Sequence, residues 1–196
     1  MKVEPVVLEG ECLRLEPMEA GHLDALWAAG SDEALWRLIP TTIASRDDMR
    51  KYVETALADR SRSIALPFVT VECGSDTVIG STRFGNIDTA NLRAEIGWTW
   101  INPQWQRTRV NTEAKLLMLT HAFETWKCIR VELKTDALNE KSRNAILRLG
   151  AKQEGIFRKH VICDTGRFRD SVYFSIIDSE WESIKAGLTS KLAEKR

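Results

Sequence analysis

Three short stretches combine residue types that could do chemistry together. The first is Gln104-Trp-Gln-Arg-Thr-Arg-Val-Asn111, which leaves an alternating segment and enters a long apolar one. If these are a strand and a helix, the first helical turn exposes unpaired N–H groups at its positive end, a setting that suits phosphate. Arg107 and Arg109 add two cations with forked donors. The plainer reading is a polar surface loop with solvated arginines. The second stretch is Asn139-Glu-Lys-Ser142. Ser142, Ala145, Ile146 and Leu149 share one helix face, so the Ser142 hydroxyl points toward the core side, where it could hydrogen-bond a leaving thiolate. A serine bonding back within its own helix, and Asn139 acting as N-cap, are the alternatives. The third is Glu95, a carboxylate mid-strand on the same face as Gly97, in a segment that also carries Trp98 and Trp100. It could serve as a general base, or form only a cross-strand pair with Arg93 or Arg83.

Other chemistries find little support. Lysine plus arginine equals aspartate plus glutamate, 28 each, which gives no electrostatic case for a nucleic-acid or membrane partner. Cys12, Cys73, Cys128 and Cys163 form no C-x-x-C pair, and the three histidines are scattered, so no metal is expected. No P-loop or G-x-G-x-x-G occurs. There is no apolar signal core and no apolar run of ~20 residues, and the expected setting is a reducing cytoplasm with free thiols. His121 is read as structural, and Phe157–His160 as a solvated strand face.

The elements that must position these groups are legible in outline. The 196 residues suit one domain spanning 1–196. Its core is expected over about 10–178, and a C-terminal helix over about 180–192. A strand near Cys12–Leu15 precedes helices at Glu19–Ala29 and after Ser45. Strands follow at Ile64–Val71, Thr77–Phe84 and Arg93–Ile101. In the last, Ala94, Ile96, Trp98 and Trp100 face one way and Arg93, Glu95, Gly97 and Thr99 the other. Asn111 is the expected N-cap of a helix reaching about Trp126, with a thin polar stripe through Glu113, Thr120, Glu124 and Lys127. A strand at Ile129–Thr135, a helix at Asn139–Leu149 stopped by Gly150, and two strands joined at Asp164-Thr-Gly166 come next. Ser179-Glu-Trp-Glu182 is the expected start of the final helix. This order defines a mixed α/β domain with antiparallel hairpins and one strand–helix–strand crossover.

Taken jointly, Glu95-Ile-Gly-Trp98, Trp105–Lys115, Asn139-Glu-Lys-Ser142, Arg148-Leu-Gly-Ala151, Glu154–Arg158 and Arg169-Asp170 resemble the GNAT superfamily of N-acetyltransferases, in its RimJ/RimL-like branch. The resemblance runs over nearly the whole chain. It implies a mostly antiparallel sheet of six to seven strands, splayed at its centre, with helices on both faces. It implies acetyl-CoA as cosubstrate, with the pyrophosphate on the backbone of Gln106, Arg107, Thr108, Arg109, Val110 and Asn111. Pantetheine would bond the backbone near Trp100 and Ile101, and Asn139 would contact its arm. Glu95 is the nearest match to the family's base, and Ser142 to the serine that serves the thiolate. The acceptor would be a primary amine, on a protein N-terminus or a small molecule, and members often form homodimers.

Two departures stand out. Both glycines of the family's phosphate loop are arginine here, Arg107 and Arg109. Arginine tolerates positive φ poorly, so the loop is expected to keep ordinary dihedrals, or the phosphate to sit further out, with Arg107 compensating by charge. Ile146 stands where many members carry a tyrosine acid, which places more reliance on Ser142. These departures keep open an alternative, a CoA-binding or sensing module that has lost catalysis.

Overall fold

Apolar alternation along the chain resolves into a single eight-stranded sheet; the computed structural model describes residues 1–194. The strands are β1 (Leu8–Glu9), β2 (Leu13–Pro17), β3 (Leu66–Glu72), β4 (Thr77–Asp88), β5 (Arg93–Ile101), β6 (Arg130–Asp136), β7 (Lys152–Ile162) and β8 (Phe168–Ile177). The helices are α1 (Leu23–Gly30), α2 (Arg46–Ser61), α3 (Val110–Thr120), α4 (Glu140–Leu149) and α5 (Asp178–Ala193). Strand order is β1-β2-β3-β4-β5-β6-β8-β7. Every neighbouring pair is antiparallel except β5–β6, which α3 joins as a parallel crossover. The architecture is the expected mixed, mostly antiparallel α/β sheet, with eight strands rather than six or seven. The extra strand is β1, whose two residues pair with Arg14 and Leu15 and are too short to show a period.

The sheet carries a core on each face. On one, α1 and α2 bury Leu26, Met49 and Val53 against Val69, Val71 and Trp100. On the other, Met118 and Leu119 of α3 and Trp181 and Leu188 of α5 meet Phe68, Phe84, Val131 and Phe174. Ring stacking of Phe123 on Trp181, 5.3 Å between centroids, joins the end of the crossover helix to α5.

The expected alternation of β5 fails at one residue, and that failure shapes the site. Trp98 has φ +50, and the β4 partners skip from Arg83↔Gly97 to Ser81↔Trp100. Three β5 residues thus span two on β4, which is a bulge. A one-residue bulge exchanges the faces beyond it. Ala94 and Ile96 lie in the α3-side core, whereas Trp100 lies in the α1–α2 core and Ile101 returns to the α3 side. The single-face set Ala94, Ile96, Trp98, Trp100 is therefore corrected.

Three helix boundaries also shift. α3 starts at Val110 with Arg109 as its N-cap residue, so Asn111 lies inside the first turn instead of capping it. α3 regularity ends at Thr120, and a π turn over His121–Thr125 continues it. α5 begins at Asp178, with Ile177 in the cap position and Glu180 accepting its N–H, two positions before the expected cap at Ser179. Glu113, part of the expected polar stripe, does not face solvent. It is buried, and its carboxylate accepts the N–H groups of Glu11 and Cys12, fastening the β1–β2 turn to the first turn of α3.

Candidate active site

The sheet opens at its parallel junction. β5 and β6 pair only through Arg93↔Arg130, Ala94↔Val131 and Glu95↔Glu132. Beyond that, β5 stays with β4 while β6 follows β8, so residues 97–101 face a slot instead of a neighbouring strand. An extended polar chain fits such a slot because the β5 edge offers backbone donors and acceptors.

The loop Gln104–Asn111 lies at the end of β5. Arg107 has φ +65, so the first of the two arginines occupies the left-handed region that its glycine counterpart would favour. The expectation of ordinary dihedrals is overturned there, and holds at Arg109, φ −70. The loop is fixed by its own side chains. Thr108 Oγ1 donates to Trp105 O at 2.7 Å and accepts the Val110 N–H at 3.3 Å. Gln106 Nε2 donates to Ile101 O at 2.9 Å, and Gln106 Oε1 accepts from Lys141 on α4. Arg109 turns away to Glu11 at 2.9 Å and Glu113 at 3.9 Å. Arg107 is exposed and makes no ion pair or hydrogen bond among the described residues, so it is the loop's unengaged cation.

Across the slot, Asn139 Oδ1 accepts the Ser142 N–H at 2.9 Å, which makes Asn139 the N-cap of α4. Gly150, φ +101, ends that helix. Ser142 is half-buried, and its hydroxyl makes no hydrogen bond among the described residues. The back-bonded serine is therefore not what forms. Ile146 is buried in the α3-side core cluster.

Glu95 is 3% exposed. Its Oε2 accepts from Asn86 Nδ2 at 2.7 Å and pairs with Lys134 Nζ at 2.9 Å. The cross-strand partner is thus a lysine from β6, and neither Arg93 nor Arg83 fills that place. A Cβ at Gly97 would stand 2.9 Å from Glu95 Oε1, so glycine there leaves that oxygen in place where any larger residue would shift it. The Trp98 ring folds back over Gly85, between Arg83 at 5.0 Å and Lys134 at 5.8 Å.

Several neighbours gave little sign of themselves in the sequence. Tyr52 lies on the apolar face of α2, yet its hydroxyl meets Ser81 Oγ at 3.3 Å, Trp98 O at 3.5 Å and Trp100 Nε1 at 3.4 Å. It ties the helix to the bulge. His160 is not merely part of a solvated face. Lys159 takes φ +48 and the β7–β8 register shifts, which sets His160 against Ser171 Oγ at 3.1 Å and Tyr173 OH at 3.4 Å. Burial, and then nearby Lys134, push the His160 imidazole below its ordinary pKa. On the opposite face, Lys115 of α3 is buried with its Nζ 2.7 Å from Thr99 Oγ1 and 3.4 Å from Thr82 Oγ1. Burial alone pushes it down to about 7. His121 packs on Trp126, 4.8 Å between centroids, consistent with a structural role.

A cavity of about 240 Å³ opens beside the bulge, lined by Tyr52, Thr55, Asp59, Arg83 and Trp98. The loop after α1 and the β7–β8 turn meet at its rim, where Asp164 Oδ2 accepts the Thr42 N–H at 2.9 Å and the Asp164 N–H donates to Pro40 O at 2.9 Å.

The sheet is thus splayed at its parallel β5–β6 junction, with the N-terminus of α3 at the slot's mouth. The acetyltransferase (GNAT) domain profile matches residues 13–152, and the chain belongs to the GNAT acetyltransferase family, which uses acetyl-CoA. It is similar to the Bacillus subtilis protein named "Putative ribosomal N-acetyltransferase YdaF", 31% identical over 87% of this chain and 92% of that one. A crystal structure of a GCN5-related N-acetyltransferase from Brucella melitensis superposes with a TM-score of 0.87, at 32% identity, over 95% of this chain and 85% of that one. The ribosomal L7/L12 α-N-acetyltransferase RimL shares the fold, with a TM-score of 0.78 at 19% identity over 88% of this chain and 94% of its own.

Proposed function

We propose that the protein moves an acetyl group from acetyl-CoA to a primary amine by direct attack. CoA pyrophosphate rests on the Gln106–Asn111 backbone at the start of α3, helped by the charge of Arg107. Pantetheine lies in the slot along Trp100 and Ile101, with the free amide protons of Asn139 available to its arm. To reach Ile101 O, it displaces the Gln106 side chain. The acceptor enters from the α1–α2 face. Its nitrogen attacks the thioester carbonyl carbon, the new C–N bond forms, and the C–S bond breaks. Glu95 takes the proton that the amine must lose, directly or through water, and Ser142 hydrogen-bonds the departing thiolate. Holding both substrates in line supplies much of the acceleration.

One relationship supports this reading most. Glu95 ends the β5–β6 pairing at the point where the slot opens, and Ser142 stands unbonded across it. The name of the Bacillus subtilis relative, a ribosomal N-acetyltransferase, supports a protein amine as the acceptor, and in this reading the chain acts as one cytoplasmic domain, paired as a homodimer. The test is thiol release from acetyl-CoA with a panel of N-terminal peptides and small amines. CoA binding without release above buffer, for every acceptor, favours instead a CoA-sensing module on the same fold.

A further inference from the structure

We infer that the acceptor carries a carboxylate and that Arg83 binds it; the inference rests on the acetyl-transfer reading and names its substrate class. Arg83 is 2% exposed and lines the cavity beside the bulge. Tyr52 and Trp98 enclose its guanidinium, each ring centroid 5.0 Å from the central carbon. A guanidinium has five N–H donors, and burial requires partners for them. Arg83 is poorly supplied. Its Nε has no partner among the described residues, and its ion pair is a long one, Nη1 to Asp59 at 3.7 Å. Asp59 is itself engaged by Arg62 at 2.6 Å. A buried cation held this loosely and facing a cavity is suited to pair with an anionic ligand.

Its place relative to the base fits an acceptor. Arg83 pairs with Gly97 in the β4–β5 register and Gly85 pairs with Glu95. The two positions are thus two residues apart, roughly 7 Å along the strand. Glu95 and Arg83 share the sheet face that carries α2, since Ala94, Ile96 and Phe84 beside them point into the opposite core. An acceptor anchored at Arg83 therefore presents its amine toward Glu95, with Trp98 covering the span between. The local charges select the kind of anion. Asp48, Asp59 and Asp164 also line the cavity, against Lys51 and Arg83, so a phosphate dianion is repelled more strongly than a planar monoanion, whose shape also matches the guanidinium fork. The carboxylate comes from a free amino acid or from an acidic residue next to a peptide N-terminus.

Two matched acceptor pairs separate these sources: an α-amino acid against its amide, and a peptide amide with aspartate in second place against the same peptide with asparagine. Thiol release from acetyl-CoA gives kcat/KM for each. The expected result is a preference of tenfold or more for the carboxylate member of one pair, which identifies the source. Arg83→Gln brings that ratio near one, and Arg83→Lys restores part of it. CoA affinity on the same variants reports that the fold is intact. A wild-type ratio within twofold for both pairs overturns the inference while leaving acetyl transfer standing, as does an Arg83→Gln variant that keeps the preference. If no acceptor is turned over, the transfer reading fails separately, and calorimetry on the CoA-loaded protein decides the anion site. Tighter binding of a carboxylate member, lost in Arg83→Gln, sustains it, and equal or absent binding of both members rejects it.

Discussion

Lys134 Nζ stands 2.9 Å from Glu95 Oε2 across the one parallel junction of the sheet, and Asn86 holds the same oxygen from β4. The carboxylate is therefore clamped from both sides while Oε1 looks along β5 over Gly97. Glutamine keeps the shape of this side chain and can still accept from Asn86, but it cannot take a proton. Glu95→Gln is expected to lower kcat about 100-fold at neutral pH, the usual reach of a general base, with acetyl-CoA affinity close to wild type. Steady-state kinetics with a saturating acceptor measures this. A kcat within twofold of wild type removes Glu95 from the chemistry.

Ser142 spends its backbone N–H on the Asn139 cap and keeps its hydroxyl uncommitted. In the proposed mechanism, with Ile146 buried where the family resemblance would place a tyrosine acid, this hydroxyl is the α4 group assigned to the thiolate. Ser142→Ala leaves the cap bond in place, since that bond uses the main chain. A drop in kcat of about tenfold or more is expected, at an unchanged CoA dissociation constant, measured by single-turnover kinetics and calorimetry on one preparation. Wild-type kcat would refute the thiolate role.

The sequence exposes what depends on local rules and hides what depends on partners across the sheet. Asn139 and Gly150 bracket α4 as cap chemistry requires, and Ser45 caps α2, because those signals act within one turn. The bulge at Trp98 is different. No glycine marks its positive φ, and the alternation Ala94, Ile96, Trp98, Trp100 reads as unbroken. What stabilises it is remote, in the Tyr52 hydroxyl and in Gly85, which leaves space for the ring. Lys134 could not be assigned to Glu95 without the β5–β6 register, and Lys115 is surrounded in the chain by Ala114 and Leu116 without any sign of Thr82 and Thr99. The positive φ of Arg107 runs against residue preference altogether.

That dihedral yields a separable prediction. Left-handed backbone costs a non-glycine residue roughly 1–2 kcal/mol, so Arg107→Gly should be more stable than Arg107→Ala by about 1 kcal/mol, or roughly 2–4 °C in Tm. Both variants lose the loop's unengaged cation. Both should bind CoA about fivefold more weakly at low salt, and the deficit should close in 1 M salt, where the Debye length falls to ~3 Å. Scanning calorimetry and CoA titration at two ionic strengths test the two halves independently. Wild-type affinity in both variants would mean that backbone N–H groups alone hold the phosphates.

Lys115 offers the clearest dependence on pH. Its ammonium is buried among Thr82, Thr99 and Met118, with hydroxyls and no carboxylate as hydrogen-bond partners, and burial sets its pKa at about 7 against an ordinary 10.5. In the unfolded chain the group is protonated up to about 10.5, whereas in the fold it releases its proton near 7. Between those values the unfolded state binds more protons, so this residue makes stability rise with pH. Below about 7 both states are charged and the full penalty of burying the ammonium applies. Above 10.5 both are neutral and the penalty vanishes. Methionine has a similar length and no charge, and Thr82 and Thr99 keep their mutual hydrogen bond of 2.7 Å without the lysine. Lys115→Met should therefore raise Tm over wild type most at pH 6, with the gap narrowing steadily through pH 8 and 9.5. Differential scanning calorimetry at those three values decides it, and a gap that stays constant with pH would show that Lys115 is not neutralised by folding.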